Sequence, residues 1–159
     1  MAADFNKSKK KGVLFLSLSA ILVLADQVLK LLFFRLNPLF EFSLDKISIL
    51  KIKVVQNPGA AFGLLSGFKG ILLVVPILVI GAILINLKRI FNSNKAIFWS
   101  FVLILSGSIG NLIDRIIYSR VIDFISVLGV PFFNLADAMI SIGLFLLIIN
   151  QAFSKDKKD

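Results

Sequence analysis

The sequence predicts an all-α integral membrane protein, with four transmembrane helices and a small extracytoplasmic β-sheet. Three observations predict it. Of 159 residues, 58% are apolar and only 17% charged, against roughly 45–50% apolar, glycine included, in soluble globular chains. Four hydrophobic runs approach the roughly 20 residues that a spanning helix needs. Lys and Arg crowd the chain ends and one of the three connections. A globule of this length has too little interior to hide so much apolar surface.

The first span covers about 13–34 and is interrupted by Asp26, Gln27 and Lys30. Lys7 to Lys11 followed by an apolar run, with Val23-Leu24-Ala25 beyond it, has the look of a cleavable leader. The run continues past Ala25 to Phe34 and three more spans follow, so a retained helix is expected. The second span, about 70–87, and the third, about 96–113, carry no charge; the fourth, about 132–153, carries one, Asp137. The outer loops are about 35–69 and 114–131, and residues 1–159 form a single membrane domain. In the first loop Ile47-Ser48-Ile49 and Lys51-Ile52-Lys53-Val54 alternate in polarity, with a phase slip at Leu50. That is the pattern of a strand lying on the bilayer. Asn57-Pro58-Gly59 is a turn signal, and 60–65 leads back to the membrane. The charged tails are expected to fray.

Orientation follows from the cations. Lys7, Lys9, Lys10, Lys11, Lys88, Arg89, Lys95, Lys155, Lys157 and Lys158 make ten of the 18 Lys and Arg, and all lie in the two tails and the connection between spans two and three. Positive residues stay inside, so both termini are expected in the cytoplasm and the two longer loops outside. The net charge of +9 is then a topology signal and a contact with anionic membrane lipids. No nucleic-acid motif accompanies it.

With no His and no Cys, disulfides, zinc or haem sites, Cys proteases and Ser–His hydrolases are excluded. No metal or other cofactor is expected. The nine acids are therefore worth placing. Five lie in tails or the first loop. Asp26, Asp114, Asp123 and Asp137 lie at or inside the outer ends of spans, where charge is costly and marks a site or a buried pair. Asp26 and Lys30, four apart, share a helix face and form a candidate ion pair. Gly107, Gly110, Asn111 and Asp114 follow helical spacing on one face, small residues permitting close helix approach; Arg115 at the interface is a candidate partner for Asp114. Asn134, Asp137 and Ser141 share a face of the fourth span, with no cation near Asp137 in sequence. Asp123 sits among apolar residues in Val121-Ile122-Asp123-Phe124-Ile125, and as a lone acid reads equally as the polar side of an amphipathic strand. A Ser–Lys pair of Ser19 and Lys30 is conceivable, although Asp26 already claims the lysine. Two carboxylates sharing one proton can hydrolyse a peptide, one activating water and the other protonating the carbonyl oxygen. A pair of Asp123 and Asp137 would form near the outer surface.

The ordered segments DQVLK (26–30), NPGAAFG (57–63), GNLIDR (110–115), VIDFI (121–125) and FNLAD (133–137) closely resemble lipoprotein signal peptidase, signal peptidase II. One segment would be weak; five in register, from Asp26 to Gly143, are specific. The resemblance implies an aspartic endopeptidase of the bacterial inner or cytoplasmic membrane. It would remove the signal peptide of diacylglyceryl-modified prolipoproteins just before the lipidated cysteine, act as a monomer and be inhibited by globomycin. It implies four helices with an outer sheet, the cradle, and it implies that Asp123 and Asp137 are catalytic. Asp26, Lys30, Asn57, Gly59, Asn111, Asp114, Arg115 and Asn134 match the family's supporting polar positions. The chain departs from the family pattern at Gln56, Ser119-Arg120 and Ala138, and its connection from Asp123 to Asp137 is short, changes that bear on loop shape and substrate preference. Two other readings compete. One is a small proton-coupled transporter with Asp26, Lys30, Asp114 and Asp137 as a relay, which gives Asp123 no task. The other is a non-catalytic scaffold.

Overall fold

The computed structural model describes residues 2–35, 41–43, 49–59 and 69–155. In chain order they form α1 (Ala2–Arg35), β1 (Glu41–Ser43), β2 (Leu50–Asn57), α2 (Lys69–Ile85), α3 (Leu87–Phe91), α4 (Lys95–Tyr118), β3 (Val121–Val127) and α5 (Leu135–Lys155). Among the described residues three segments are long and apolar enough to cross a membrane, Ser8–Arg35, Lys95–Tyr118 and Leu135–Phe153; the apolar part of α2, Gly70–Ile85, is shorter. Residues 60–65, expected to lead back to the bilayer, lie outside the described residues.

Each end of the elements has a local cause. Asn94 caps α4, its Oδ1 accepting the Ile97 N–H at 3.0 Å, which satisfies one of the orphan donors of a helix start. The helix runs past the expected end at Ile113 to Tyr118, because Asn111 and Asp114 turn inward to partners and need no water. It stops at Ser119, which adopts the left-handed φ of 55°. The last helix begins at Leu135 rather than near Phe132, since Phe133 is held against β3: its N–H donates to Ile125 O at 2.8 Å, and the Ile125 N–H returns to Phe133 O at 3.1 Å. The amino-terminal tail does not fray as expected. It is helical from Ala2, and Lys11 Nζ donates to the Phe91 carbonyl at the end of α3.

The central helix is α4, packed against α5, α1 and α2. Around it the usual pattern is inverted. Leu16, Ile21, Leu24, Leu32, Leu78, Phe145 and Ile148 are exposed, whereas Ser100, Ser106, Asn111, Asp114 and Asn134 are buried. Apolar side chains outside and polar ones inside is the arrangement that lipid selects. At the end of the bundle near Lys95, Phe15 meets Phe91 and Phe98 edge to face, both at 5.6 Å between centroids. At the other end Phe33 of α1 stacks on Phe124 of β3 at 4.3 Å. Ser19 is buried in α1, and its Oγ has no hydrogen-bond partner among the described residues. An unsatisfied buried hydroxyl costs about 1–3 kcal/mol. Ser19→Ala is therefore expected to raise the melting temperature in detergent; a lowered one would show that the hydroxyl is bound.

The sheet is three-stranded and antiparallel, in the order β1-β2-β3. Its pairing slips by one residue between Ile52 and Val55: Ile52 faces Ile125, but Val55 faces Asp123. The slip thus falls after Leu50, at the second place where two apolar residues adjoin, Val54-Val55. It inserts one extra residue in β2, and an extra residue moves all that follow to the other face. Asn57 consequently shares a face with Asp123.

Candidate functional site

The expected polar residues converge where the carboxyl ends of α1 and α4 and the amino end of α5 meet β3. Asn134 and Asp137 open α5 with a reciprocal cap. Asn134 Oδ1 accepts the Asp137 N–H at 2.9 Å, and Asp137 Oδ2 accepts the Asn134 N–H at 3.3 Å, a capping box built from Asn and Asp. The positive end of the helix dipole favours negative charge at this place. Asp137 is half-buried and on the wall of a cavity of about 510 Å³. Asn57, Gly59, Arg115 and Pro131 also line it.

Asp123 is 1% exposed and stands behind that wall. Its Oδ1 accepts Asn134 Nδ2 at 2.7 Å and its Oδ2 accepts Asn57 Nδ2 at 3.0 Å. Asn57 is itself oriented by the Gly59 N–H, which donates to its Oδ1 at 2.9 Å. Burial pushes the Asp123 carboxyl up to about 6, against the lowering by the Asn57 amide, and the Asp137 charge pushes the same way as burial. Asn111 completes the arrangement, its Nδ2 donating to Asp137 Oδ1 at 2.7 Å and its Oδ1 accepting Asn134 Nδ2 at 3.1 Å. The two carboxylates are thus bridged by two amides.

The raised carboxyl makes stability depend on pH with a defined sign. Asp123 in the folded chain holds its proton up to about pH 6, against an ordinary value of 3.8. The folded state binds the proton more tightly, so this group's contribution is fully present below about pH 4, declines as pH rises, and is gone above about pH 6. The span corresponds to about 3 kcal/mol. Asp123→Asn has nothing to lose in that window. Its melting temperature relative to the unsubstituted chain is expected to climb between about pH 4 and about pH 7.5; a pH-independent difference would contradict the raised carboxyl.

Beneath this pair lies a buried triad. Lys30, 1% exposed, contacts Asp26 Oδ2 at 2.8 Å and Asp114 Oδ2 at 3.0 Å. The expected Asp26–Lys30 pair is present; the expected Asp114–Arg115 pair is not. Adjacent helical residues point about 100° apart, so Asp114 turns inward to Lys30 while Arg115 turns to the cavity, its Nη2 3.5 Å from Gly59 O. Gln27, read in the sequence only as an interruption of the first span, joins the triad. Its Nε2 lies 3.1 Å from Asp114 Oδ1 and from Gly110 O, and 3.2 Å from Asp26 Oδ2. An uncharged polar residue inside a hydrophobic run, next to an acid, was the available signal.

A second cavity of about 420 Å³ opens between α2, α4 and α5, walled by apolar residues such as Leu72, Val75, Val79 and Leu144. Asn111, Arg115, Asp137 and Ile140 also line it. Arg115, Asp137 and Ile140 border both cavities, so Asp137 stands between the two. No group of three or more potential metal-ligating side chains that could hold a metal ion occurs among the described residues.

A family model described as signal peptidase (SPase) II matches residues 18–153. A lipoprotein signal peptidase of Pseudoalteromonas translucida is 34% identical over 160 residues, covering 96% of each chain. One of Geobacillus thermodenitrificans is 34% identical over 148 residues, covering 90% of this chain and 92% of the relative. Among solved structures, a bacterial membrane enzyme determined by the in meso method at 2.3 Å superposes with a TM-score of 0.82 at 27% identity, over 91% of both chains. A second, at 1.9 Å, gives 0.74 at 28% identity over 86% of this chain and 91% of its own.

Proposed function

The chain belongs to the signal peptidase II family, a family of bacterial membrane proteases, and from that membership we propose that it removes signal peptides from diacylglyceryl-modified prolipoproteins by aspartic catalysis, with Asp123 and Asp137 as the catalytic pair. The observation that carries the aspartic assignment is the asymmetry of the two carboxyls. Asp123 is buried and raised to about 6, which suits the member that keeps the shared proton. Asp137 faces the cavity from a helix amino terminus, which suits the member that meets the water.

Hydrolysis then runs as follows. Water in the outer cavity gives a proton to the Asp137 carboxylate as its oxygen adds to the scissile carbonyl carbon. The Asp123 carboxyl gives its proton to the carbonyl oxygen. The resulting tetrahedral diol collapses: the C–N bond breaks, the proton on Asp137 passes to the departing nitrogen of the lipidated cysteine, and a diol hydroxyl returns a proton to Asp123. Atoms balance, and both carboxyls end as they began. The apolar cavity beside α2 offers a wall for acyl chains, with Asp137 at its edge.

The same reading takes α2 as a fourth span. β2 is paired with β3, which follows α4, whereas α3, leading into α4, contacts Lys11 near the start of α1. The chain passes from one end of the bundle to the other between Asn57 and Lys95, and α2 is the apolar helix on that path. With the ten inner cations, both termini lie in the cytoplasm and the sheet outside, and the chain acts as a monomer. Nothing supports the relay of the transporter reading: Asp123, idle in that scheme, is held by two amides. The test is cleavage in detergent of one prolipoprotein with and without its diacylglyceryl group, with and without globomycin. Lipid-dependent, globomycin-sensitive cleavage is expected; equal cleavage of both forms would sink the substrate assignment.

A further inference from the structure

We propose that Lys30 is the positioning residue for both aspartates, its one ammonium setting the backbone at each of them and, together with Asn134, the direction of the amide that faces Asp137. This rests on the reading of Asp123 and Asp137 as the catalytic pair. The geometry has a symmetry that the sequence hides. Asp114 Oδ2 accepts the backbone N–H of Ile122 at 3.1 Å, and Ile122 immediately precedes Asp123. Asp26 Oδ1 accepts the backbone N–H of Ala136 at 2.9 Å, and Ala136 immediately precedes Asp137. The two acceptor carboxylates are held together by Lys30, at 3.0 and 2.8 Å. A single cation in α1 thereby ties the strand that carries one aspartate to the helix that carries the other.

The third N–H of Lys30 acts on a side chain. Lys30 Nζ donates to Asn111 Oδ1 at 3.1 Å. An ammonium has three donors and no acceptor, so only the oxygen of Asn111 can face it. The Nδ2 must then face the other way, towards Asp137 Oδ1. Asn134, aimed by the Asp137 N–H that its Oδ1 accepts, turns its Nδ2 to the same Asn111 oxygen at 3.1 Å, so the direction of Asn111 is set by Lys30 and Asn134 together. With three bonds to three oxygens, Lys30 has no free donor for substrate, which is why it positions and does not catalyse.

Removing Lys30 alone would strand two buried carboxylates, which is itself strongly destabilising. The discriminating variant neutralises the triad as a whole, Lys30→Met with Asp26→Asn and Asp114→Asn. Each new amide keeps an oxygen for Ala136 or Ile122, so the backbone acceptors survive and no buried charge is unpaired. Measured per folded molecule on a lipidated prolipoprotein, kcat is expected to fall about 100-fold, as for an ångström-scale misplacement of reacting groups, with KM within about threefold. A merely structural Lys30 predicts fewer folded molecules at unchanged kcat, and that result overturns the proposal. Should the triple variant not accumulate, Asn111→Ser decides instead. It removes the amide donor to Asp137 while leaving Lys30 with both carboxylates, and an unsubstituted kcat overturns the proposal there. If Asp123→Asn is also active, the catalytic pair itself is wrong; if Asp123→Asn is dead and the triple variant active, only the role of Lys30 falls.

Discussion

Asp137→Asn is expected to lower kcat about 10⁴-fold, the upper end of what a positioned acid or base contributes, while the bundle stays folded. The amide cannot take a proton from water. It can still cap α5, because Asn carries one carbonyl oxygen for the Asn134 N–H, and the reciprocal bond from the Asp137 backbone N–H to Asn134 Oδ1 does not involve the substituted side chain; the loss is the bond from Asn111 Nδ2, about 1–3 kcal/mol. Asp123→Asn should cost a similar factor for the complementary reason, loss of the proton donor. The two losses should not multiply. Groups that act as a unit are largely lost with the first of them, so the double variant is expected within about tenfold of either single one. Turnover of a lipidated prolipoprotein, followed by gel shift and normalised to folded protein, measures all three. Either single variant keeping more than about a hundredth of the activity would remove its residue from the chemistry. Losses that multiply would mean that the carboxyls act separately and share no proton.

The parts of this site that were legible in the sequence are those in which chemistry shows as an anomaly. A carboxylate inside an apolar run has few bland explanations, so Asp26, Asp114 and Asp137 stood out, and Lys30 followed from its spacing to Asp26. Asp123 was different. A strand acid among Val, Ile and Phe reads equally as surface, and its burial depends on Asn57 and Asn134, 66 and 11 residues away. The residues alone offer it only as a possible partner for Asp137, and the family resemblance is what singles it out. What stayed hidden is pairing at a distance. The bulge that brings Asn57 to the Asp123 face is a register event between two strands, falling between Ile52 and Val55, and a single strand's polarity pattern does not show it. The Asp114–Arg115 pairing failed because proximity in sequence is not proximity on a helix, where i and i+4 meet and i and i+1 do not. The Asn134–Asp137 cap has a readable signature, Asn followed three residues later by an acid at the start of an apolar run, but the same acid also stands out as a lone carboxylate in that run. In the structure Asp137 both makes that cap and lines the cavity.

Gly110→Ala is expected to collapse this site from a position that touches no substrate. In an ordinary helix interior the change is stabilising by roughly 0.5–1 kcal/mol, since glycine has more freedom to lose. At Gly110 the sign reverses. A Cβ there would lie 2.5 Å from Asp26 Oδ2 and 3.3 Å from the Ala136 Cβ. The carboxylate cannot retreat, because Asp26 is fully buried and held by Lys30 at 2.8 Å and by the Ala136 N–H at 2.9 Å. The methyl must displace either the ion pair or the start of α5, and breaking a buried pair costs about 3–5 kcal/mol. Gly81 supplies the internal control. It lies inside α2, and a Cβ there would meet nothing within 4 Å, so Gly81→Ala should gain the ordinary helical increment. Thermal unfolding in the same detergent should move the two variants in opposite directions, Gly110→Ala down by many degrees and Gly81→Ala slightly up. A Gly110→Ala chain as stable as the unsubstituted one would mean that α1 and α4 are not pressed together at Asp26, and the tie from Lys30 to the start of α5 would lose its support.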